Sequence, residues 1–310
     1  GKFPNYFPLF LRSCGKNTEF DWLIITDNMQ SYIWPDNVRK LYMSFAQMRQ
    51  RIQKKFSMQI SLEYPYKLCD FKPTYGYVFE EECREYRYWG HCDCDLIFGN
   101  LNKILAPLLD QGYDKLFAAG HLTIYRNTWE NTRRFFHECR GVQYYKKALT
   151  TDEICWFDED LFEQNIHTIF LDEGAKLYTR DLSLNVAVDY PKFLFAPYVD
   201  EISKFKVQPF RRALYVWNNG ELEKTECDAD GRLRTESYLY MHFQLRHMRY
   251  RKRLEEVIQI YPNGFRAMKQ YPVTVKQWKR LTGMSPNLHY LRRKWSNLKK
   301  RLERWNRKKA

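Results

Sequence analysis

The sequence predicts an α/β domain, and three stretches carry the prediction. Asp21 to Asn28 is an apolar run ending in polar residues, the pattern of a buried parallel strand. Between Asn37 and Phe56, residues Val38, Leu41, Phe45, Met48, Ile52 and Phe56 recur at helical spacing, so a helix should pack on that strand's sheet. Tyr88 to Gly99 runs from an aromatic, strand-like lead-in through two carboxylates into a second apolar run. A chain of 310 residues can bury a sizeable core, as one large α/β domain or two small ones. With 44% hydrophobic and 28% charged residues, its composition is globular, not disordered.

Taken in order, the chain opens with a loop entering a helix: Phe7, Phe10, Leu11 and Cys14 share one face, with Asn5 as candidate cap. The Asp21–Asn28 strand follows. Ligands in open α/β sheets bind beyond strand C-termini. Thr26, Asp27 and Asn28 thus stand where a base or ribose could be hydrogen-bonded, although a turn-forming Asp-Asn needs the same residues. Within Leu68 to Gly76, Lys72 is a point charge suited to phosphate, or one half of a fold-stabilising charge pair.

The central stretch is Tyr88-Trp89-Gly90-His91-Cys92-Asp93-Cys94-Asp95-Leu96-Ile97-Phe98-Gly99. On a strand, residues i and i+2 point to one face. Asp93 and Asp95 would then project together with His91, while Cys92 and Cys94 pack on the opposite side. Carboxylate oxygens suit Mg²⁺ or Mn²⁺, and Mg²⁺ is commonly held by one or two carboxylates plus substrate phosphates. A polar strand end closing into a turn accounts for the spacing equally well.

Asn100 to Leu109 reads as a helix interrupted by Pro107. Tyr113 to Tyr125 alternates enough for one or two strands, and Gly120 within it permits close approach of a ligand or backbone. His121 reads as a structural histidine before an acceptor-pocket one. A helix is expected over Thr128 to Cys139. In Cys155-Trp156-Phe157-Asp158-Glu159-Asp160-Leu161, acids sit beside aromatics. Rings stack on sugar faces, and a carboxylate can bind hydroxyls and take a proton. An acidic first helical turn, favoured by the helix dipole, explains the same cluster. Asn219-Gly220 marks a tight hairpin, Asp228 to Gly231 a second turn, and Ser237 to Gln244 a strand. Val273 to Arg280 carries no clear pattern.

Charge is unevenly spread. The net charge is +14, yet Phe243 to Ala310 alone holds 20 Lys and Arg against 3 Asp and Glu. Gly1 to His242 is slightly acidic, with 31 basic and 34 acidic residues. Leu291, Trp295, Leu298, Leu302 and Trp305 recur at intervals of 4, 3, 4 and 3, and ten Lys and Arg lie between Arg292 and Lys309. Such a basic amphipathic helix suits an anionic membrane surface over residues 291–309, or docking on the body with a solvated basic face. A nucleic-acid partner is not expected. The eight cysteines form no Cys-x-x-Cys pair and read as reduced, mostly buried thiols. No apolar run approaches the ~18 residues that span a bilayer, and no secretory signal is visible. A cytoplasmic protein is therefore expected, peripheral on the inner face of the membrane.

Trp89 to Asp95 followed by Ile97-Phe98-Gly99 resembles the DXD segment of GT-A-type bacterial glycosyltransferases, in a group associated with capsule, exopolysaccharide and O-antigen gene clusters. Further blocks extend the resemblance over roughly Gly1 to Arg246. It implies a GT-A-like, Rossmann-type mixed sheet with flanking helices over residues 1–246, followed by a basic helical extension over 247–310. It also implies a first strand before Gly1. By this likeness Asp27 contacts the nucleotide, Asp70 orients part of it, and Lys72 meets the diphosphate. Asp93 and Asp95 hold Mn²⁺ or Mg²⁺, and Asp93 touches the donor as well. A Phe-Asp-Glu segment of the family matches Phe157 to Glu159, which implies Asp158 or Glu159 as the base that takes the acceptor's hydroxyl proton. Tyr240 to Arg246 resembles the late histidine block, which makes His242 a third metal ligand and Arg246 a diphosphate contact. The expected activity is sugar transfer from a nucleoside-diphosphate sugar, a UDP-sugar foremost, to a glycan or lipid-linked acceptor. A nucleotidyltransferase and a non-enzymatic basic surface-binding protein are the alternatives.

Overall fold

In the computed structural model, which describes residues 1–310 apart from 163, 189, 245, 252–255, 284–290, 292, 293, 297 and 300–310, helices alternate with several small sheets. The α/β expectation is met in this mixed form. The helix Phe7–Gly15 buries Phe7, Phe10, Leu11 and Cys14 as its spacing requires. Asn5 does not cap it; its amide donates to the Met248 carbonyl at 2.8 Å and ties the start of the chain to a late segment.

Strands β1 (Trp22–Thr26) and β2 (Val38–Tyr42) pair in parallel. The single helix expected over 37–56 is therefore two elements. Val38 and Leu41 serve the strand, and the helix begins only at Phe45, where Ser44 and Gln47 form a capping box. Apolar spacing alone cannot mark that junction; the capping pair does.

Strands β3 (Tyr88–Cys92) and β4 (Leu96–Phe98) follow each other but join different sheets. The helix Leu101–Leu109 is capped by Asn100 and carries Pro107 in its last turn without breaking. Next come β5 (Lys115–Leu116), β6 (Leu122–Arg126) and β7 (Leu177–Tyr178), which with β3 form a sheet in the order β3-β6-β5-β7. The helix expected over 128–139 is a single turn and a half, Trp129–Arg133, passing into a 3₁₀ turn at Arg134–Phe136.

Strand β8 (Ser183–Asn185) lies at one edge of a three-stranded sheet, and β9 (Tyr198–Val199) pairs with β10 (Lys204–Phe205). Strands β11 (Ala213–Asn218) and β12 (Glu221–Cys227) form the expected hairpin. Asn219 and Gly220 have φ of 48° and 106°, the left-handed backbone that such a two-residue turn demands. Strand β13 (Leu233–Ser237) extends that sheet. Strand β14 (Tyr240–His242) crosses to the three-stranded sheet, where it is central, antiparallel to β4 and parallel to β8.

Strands β15 (Val257–Tyr261) and β16 (Gly264–Ala267) then add to β11, completing the order β13-β12-β11-β15-β16. The boundary expected after residue 246 thus falls inside a continuous sheet. The helix Val275–Leu281, which the sequence left unassigned, starts at a Thr274–Gln277 capping box. It buries Trp278 against Leu214, Val216 and Met268, and the indole donates to the Thr225 carbonyl at 2.9 Å. Trp217 does the equivalent work inside, donating to the Phe98 carbonyl at 2.9 Å and locking the large sheet to β4. All eight cysteines are free thiols, and Cys92 and Cys94 pack against the core that includes Leu96 and Phe98.

Among the described residues no helix is long and apolar enough to cross a membrane. Leu291, Trp295 and Leu298 are exposed; Leu302 and Trp305 lie outside the described residues. The docked helix yields a stability test. Trp278→Ala should cost about 3–5 kcal/mol in chemical denaturation, the usual effect of emptying a buried indole site. A loss below about 0.5 kcal/mol would mean that the segment past residue 270 is not part of the folded body.

Candidate metal and substrate site

The site is built around the end of β14. Its register sets His242 opposite Leu96 on one side and Asn185 on the other. Asp93 and Asp95 do not lie on a strand as expected; they occupy the bend between β3 and β4. Backbone bonds fix that bend. The Asp93 amide donates to the His121 carbonyl, and the Asp95 carbonyl accepts from the Phe243 amide, each at 3.1 Å. The two carboxylates therefore converge because neighbouring strands hold their backbone, not because of strand alternation.

His242 Nε2 stands 3.4 Å from Asp95 Oδ1 and 3.8 Å from Asp93 Oδ2. Its Nδ1 lies 2.9 Å from the Asn185 side-chain oxygen, which also accepts from Gln244 Nε2 at 3.0 Å. Asn185 is anchored in turn by donating to the Ala196 carbonyl at 2.8 Å. An oxygen acceptor makes Nδ1 the donor and turns Nε2 toward the acids, the outer-shell arrangement that orients metal-ligating imidazoles. One atom from each of Asp93, Asp95 and His242 lies within 4.8 Å of the others. This oxygen and nitrogen donor set fits Mn²⁺ well and Mg²⁺ acceptably. Burial acts to lower the His242 pKa, but Asp95 and Asp93 outweigh it and the imidazole is pushed up.

Lys72 comes from the 3₁₀ segment Pro65–Thr74 and bridges two acids. Its Nζ is 2.9 Å from Asp93 Oδ1 and 3.0 Å from Asp158 Oδ2, and it donates to the Gly120 carbonyl at 2.9 Å. Burial works against the charge of Asp93, yet Lys72 and His242 prevail and hold its carboxyl down at about 2. Asp158 goes the other way: burial exceeds the pull of Lys72 and raises it. Glu159 is pushed up to about 7, first by burial and then by the charge of Asp158. Gly120 has no room for a side chain, since a Cβ there would lie 2.4 Å from Asp158 Oδ2 and from Glu159 Cγ. The close approach expected at this glycine is thus to the acidic segment.

His121 is buried, with Nδ1 2.7 Å from the Tyr240 hydroxyl and its ring 4.5 Å from that of His242. Burial, then the His242 charge, lower its pKa and keep it neutral. His91 is also buried, on β3.

Two expected contacts are corrected. Arg246 is buried, and its guanidinium donates to the carbonyls of Pro262, Tyr190 and Pro191 at 2.9, 2.9 and 3.0 Å, so it braces loops and does not face a diphosphate. Asp70 is fully buried beside Lys67 and accepts from the amides of Cys155 and Phe157, which leaves it no path to a nucleotide. Thr26 ends β1, and Asp27 and Asn28 follow it directly, where the sequence places them. The Thr26 hydroxyl accepts from the Asn28 amide, and Asn28 donates to the Gly1 carbonyl. Asn185 escaped the sequence reading because no local motif surrounds it; only the β8–β14 register gives it a role.

These features define an α/β protein whose strand ends gather two carboxylates and an imidazole next to a lysine that bridges two acids. The chain belongs to the Family of unknown function (DUF6625), whose profile matches residues 1–269 and so covers the whole cluster. No curated protein and no solved structure matches it.

The raised Glu159 carboxyl has a measurable consequence. Between its ordinary 4.5 and about 7, the native state keeps a proton that the unfolded chain has lost. Stability from this group therefore falls as pH rises through that window. Denaturation of Glu159→Gln should match the wild type near pH 4.5 and exceed it near pH 8; equal stability at both would show that the carboxyl titrates normally.

Proposed function

We propose that the protein is a metal-dependent glycosyltransferase, moving a sugar from a nucleoside-diphosphate sugar, a UDP-sugar foremost, to a glycan or lipid-linked acceptor of a growing cell-surface polysaccharide. The observation that carries this reading is the convergence of Asp93, Asp95 and the oriented Nε2 of His242 beside the bridging Lys72. Mn²⁺ or Mg²⁺ held by Asp93, Asp95 and His242 would supply Lewis-acid neutralisation of a diphosphate leaving group.

The chain's own residues account for the rest. Lys72 offers a fixed positive charge to the diphosphate once Asp93 turns to the cation, and its bond to Asp158 keeps it in place. Glu159 is the base. It accepts the acceptor's hydroxyl proton while that oxygen bonds the anomeric carbon and the anomeric bond to the diphosphate breaks. A carboxyl near 7 is well matched to this task at neutral pH. A GT-A-type arrangement belongs to the same proposal, with Thr26, Asp27 and Asn28 toward the nucleotide. So does a cytoplasmic site of action, with the basic segment over 291–309 facing the inner leaflet.

Thermal shift against UDP and GDP, with and without Mn²⁺, tests the reading. Stabilisation by one nucleotide only when metal is present is expected, and no nucleotide response would overturn it. Asp95→Ala should then lower transfer about 10²–10³-fold, the effect of losing one electrostatic stabiliser. Release of pyrophosphate in place of a nucleoside diphosphate would assign nucleotidyl transfer instead.

A further inference from the structure

We propose that Trp156, with Phe162 beside it, is the platform on which a pyranose ring stacks, and that the buried Lys67–Asp70 pair holds it in position. Calling that pyranose the acceptor rests on the transferase reading; the platform itself does not.

The geometry begins with Asp70. Its Oδ2 accepts from the Cys155 amide and its Oδ1 from the Phe157 amide, each at 2.9 Å, so one carboxylate clamps both neighbours of Trp156. Lys67 holds Asp70 at 2.8 Å and donates to the Ala148 carbonyl at 2.7 Å and to that of Glu153 at 2.5 Å. Both charged groups are fully buried. A buried ion pair is a weak source of stability, and fixing one conformation is its better-attested use. Here the fixed conformation is an unfavourable one. Trp156 has φ 51°, a left-handed backbone that bulky residues rarely adopt.

The outcome of that strain is exposure. Cys155 and Phe157 are buried, whereas Trp156 is turned out at 40% and Phe162 at 58%. Their rings are 5.5 Å apart and tilted by 55°, a bent apolar wall. Tyr66, 66% exposed, lies on the 3₁₀ segment that also carries Lys67 and Asp70. Glu159 belongs to the same turn, its amide donating to the Trp156 carbonyl at 3.2 Å. Apolar ring faces beside a carboxylate match a pyranose, which offers an apolar C–H face with hydroxyls around its edge. An apolar protein partner would have no use for the acids.

Saturation-transfer NMR on the full chain tests this, with methyl glycosides of glucose, galactose and N-acetylglucosamine as probes. Trp156→Gly removes the ring at a backbone that glycine adopts freely, so its melting temperature should equal or exceed the wild type's. Glycoside affinity should fall at least about tenfold in that variant and largely survive in Trp156→Phe. Equal affinity in Trp156→Gly, or no binding of any probe to the wild type, would overturn the platform. UDP–Mn²⁺ stabilisation, measured on the same samples, should be unchanged by Trp156→Gly. If the wild type binds glycosides through Trp156 but ignores UDP and Mn²⁺, the transferase reading falls and the platform stands; the opposite pattern removes the platform alone.

Discussion

The pairing of Tyr240–His242 between Leu96–Phe98 and Ser183–Asn185 is the constraint on which the site depends. One central strand brings together three residues that the sequence keeps far apart. It sets His242 beside the bend that carries Asp93 and Asp95, and beside the amide of Asn185 that dictates which ring nitrogen faces them. Register in a sheet with buried neighbours is strongly specified, because a one-residue slip would turn His242 to the other face. Tyr240, Met241 and His242 are all buried, so the strand has no freedom to slip. Trp217 reinforces the arrangement from the large sheet through its bond to Phe98.

Charge balance explains why so many ionisable groups can share this space. Asp93, Asp95, Asp158 and Glu159 face Lys72 and His242, an excess of acid over base that favours a further positive charge. Burial raises Asp158 and Glu159, while Asp93 is held low by Lys72 and His242 despite its own burial. Environments that push neighbouring carboxyls apart are characteristic of sites that need one charged ligand and one proton acceptor.

Much of this was legible in the sequence, for identifiable reasons. The Asp93–Asp95 pair, Lys72, Asp158, Glu159 and His242 are short-motif residues, and the structure gathers all six at one place. The Asn219-Gly220 hairpin is legible because its backbone admits few residues. The stretch 37–56 reads as one helix because Val38 and Leu41 suit either period, and only the capping box at Ser44 marks where the strand gives way to the helix. Arg246 and Asp70 differ from expectation because a charged residue in a motif reads as a ligand contact, whereas burial and backbone partners make both of them structural. Asn185 could not be found at all, since its function exists only through strand register. The helix Val275–Leu281 follows from a capping box and one buried tryptophan, too little periodicity to stand out.

The most direct measurement is a Mn²⁺ titration of the purified protein followed by electron paramagnetic resonance, comparing the wild type with His242→Ala and Asn185→Ala. The account predicts one bound ion per chain in the wild type, lost in His242→Ala, and affinity weakened about 10–100-fold in Asn185→Ala, the usual cost of losing an outer-shell partner. A wild type that binds no Mn²⁺, or a His242→Ala variant that binds it equally well, would contradict the account.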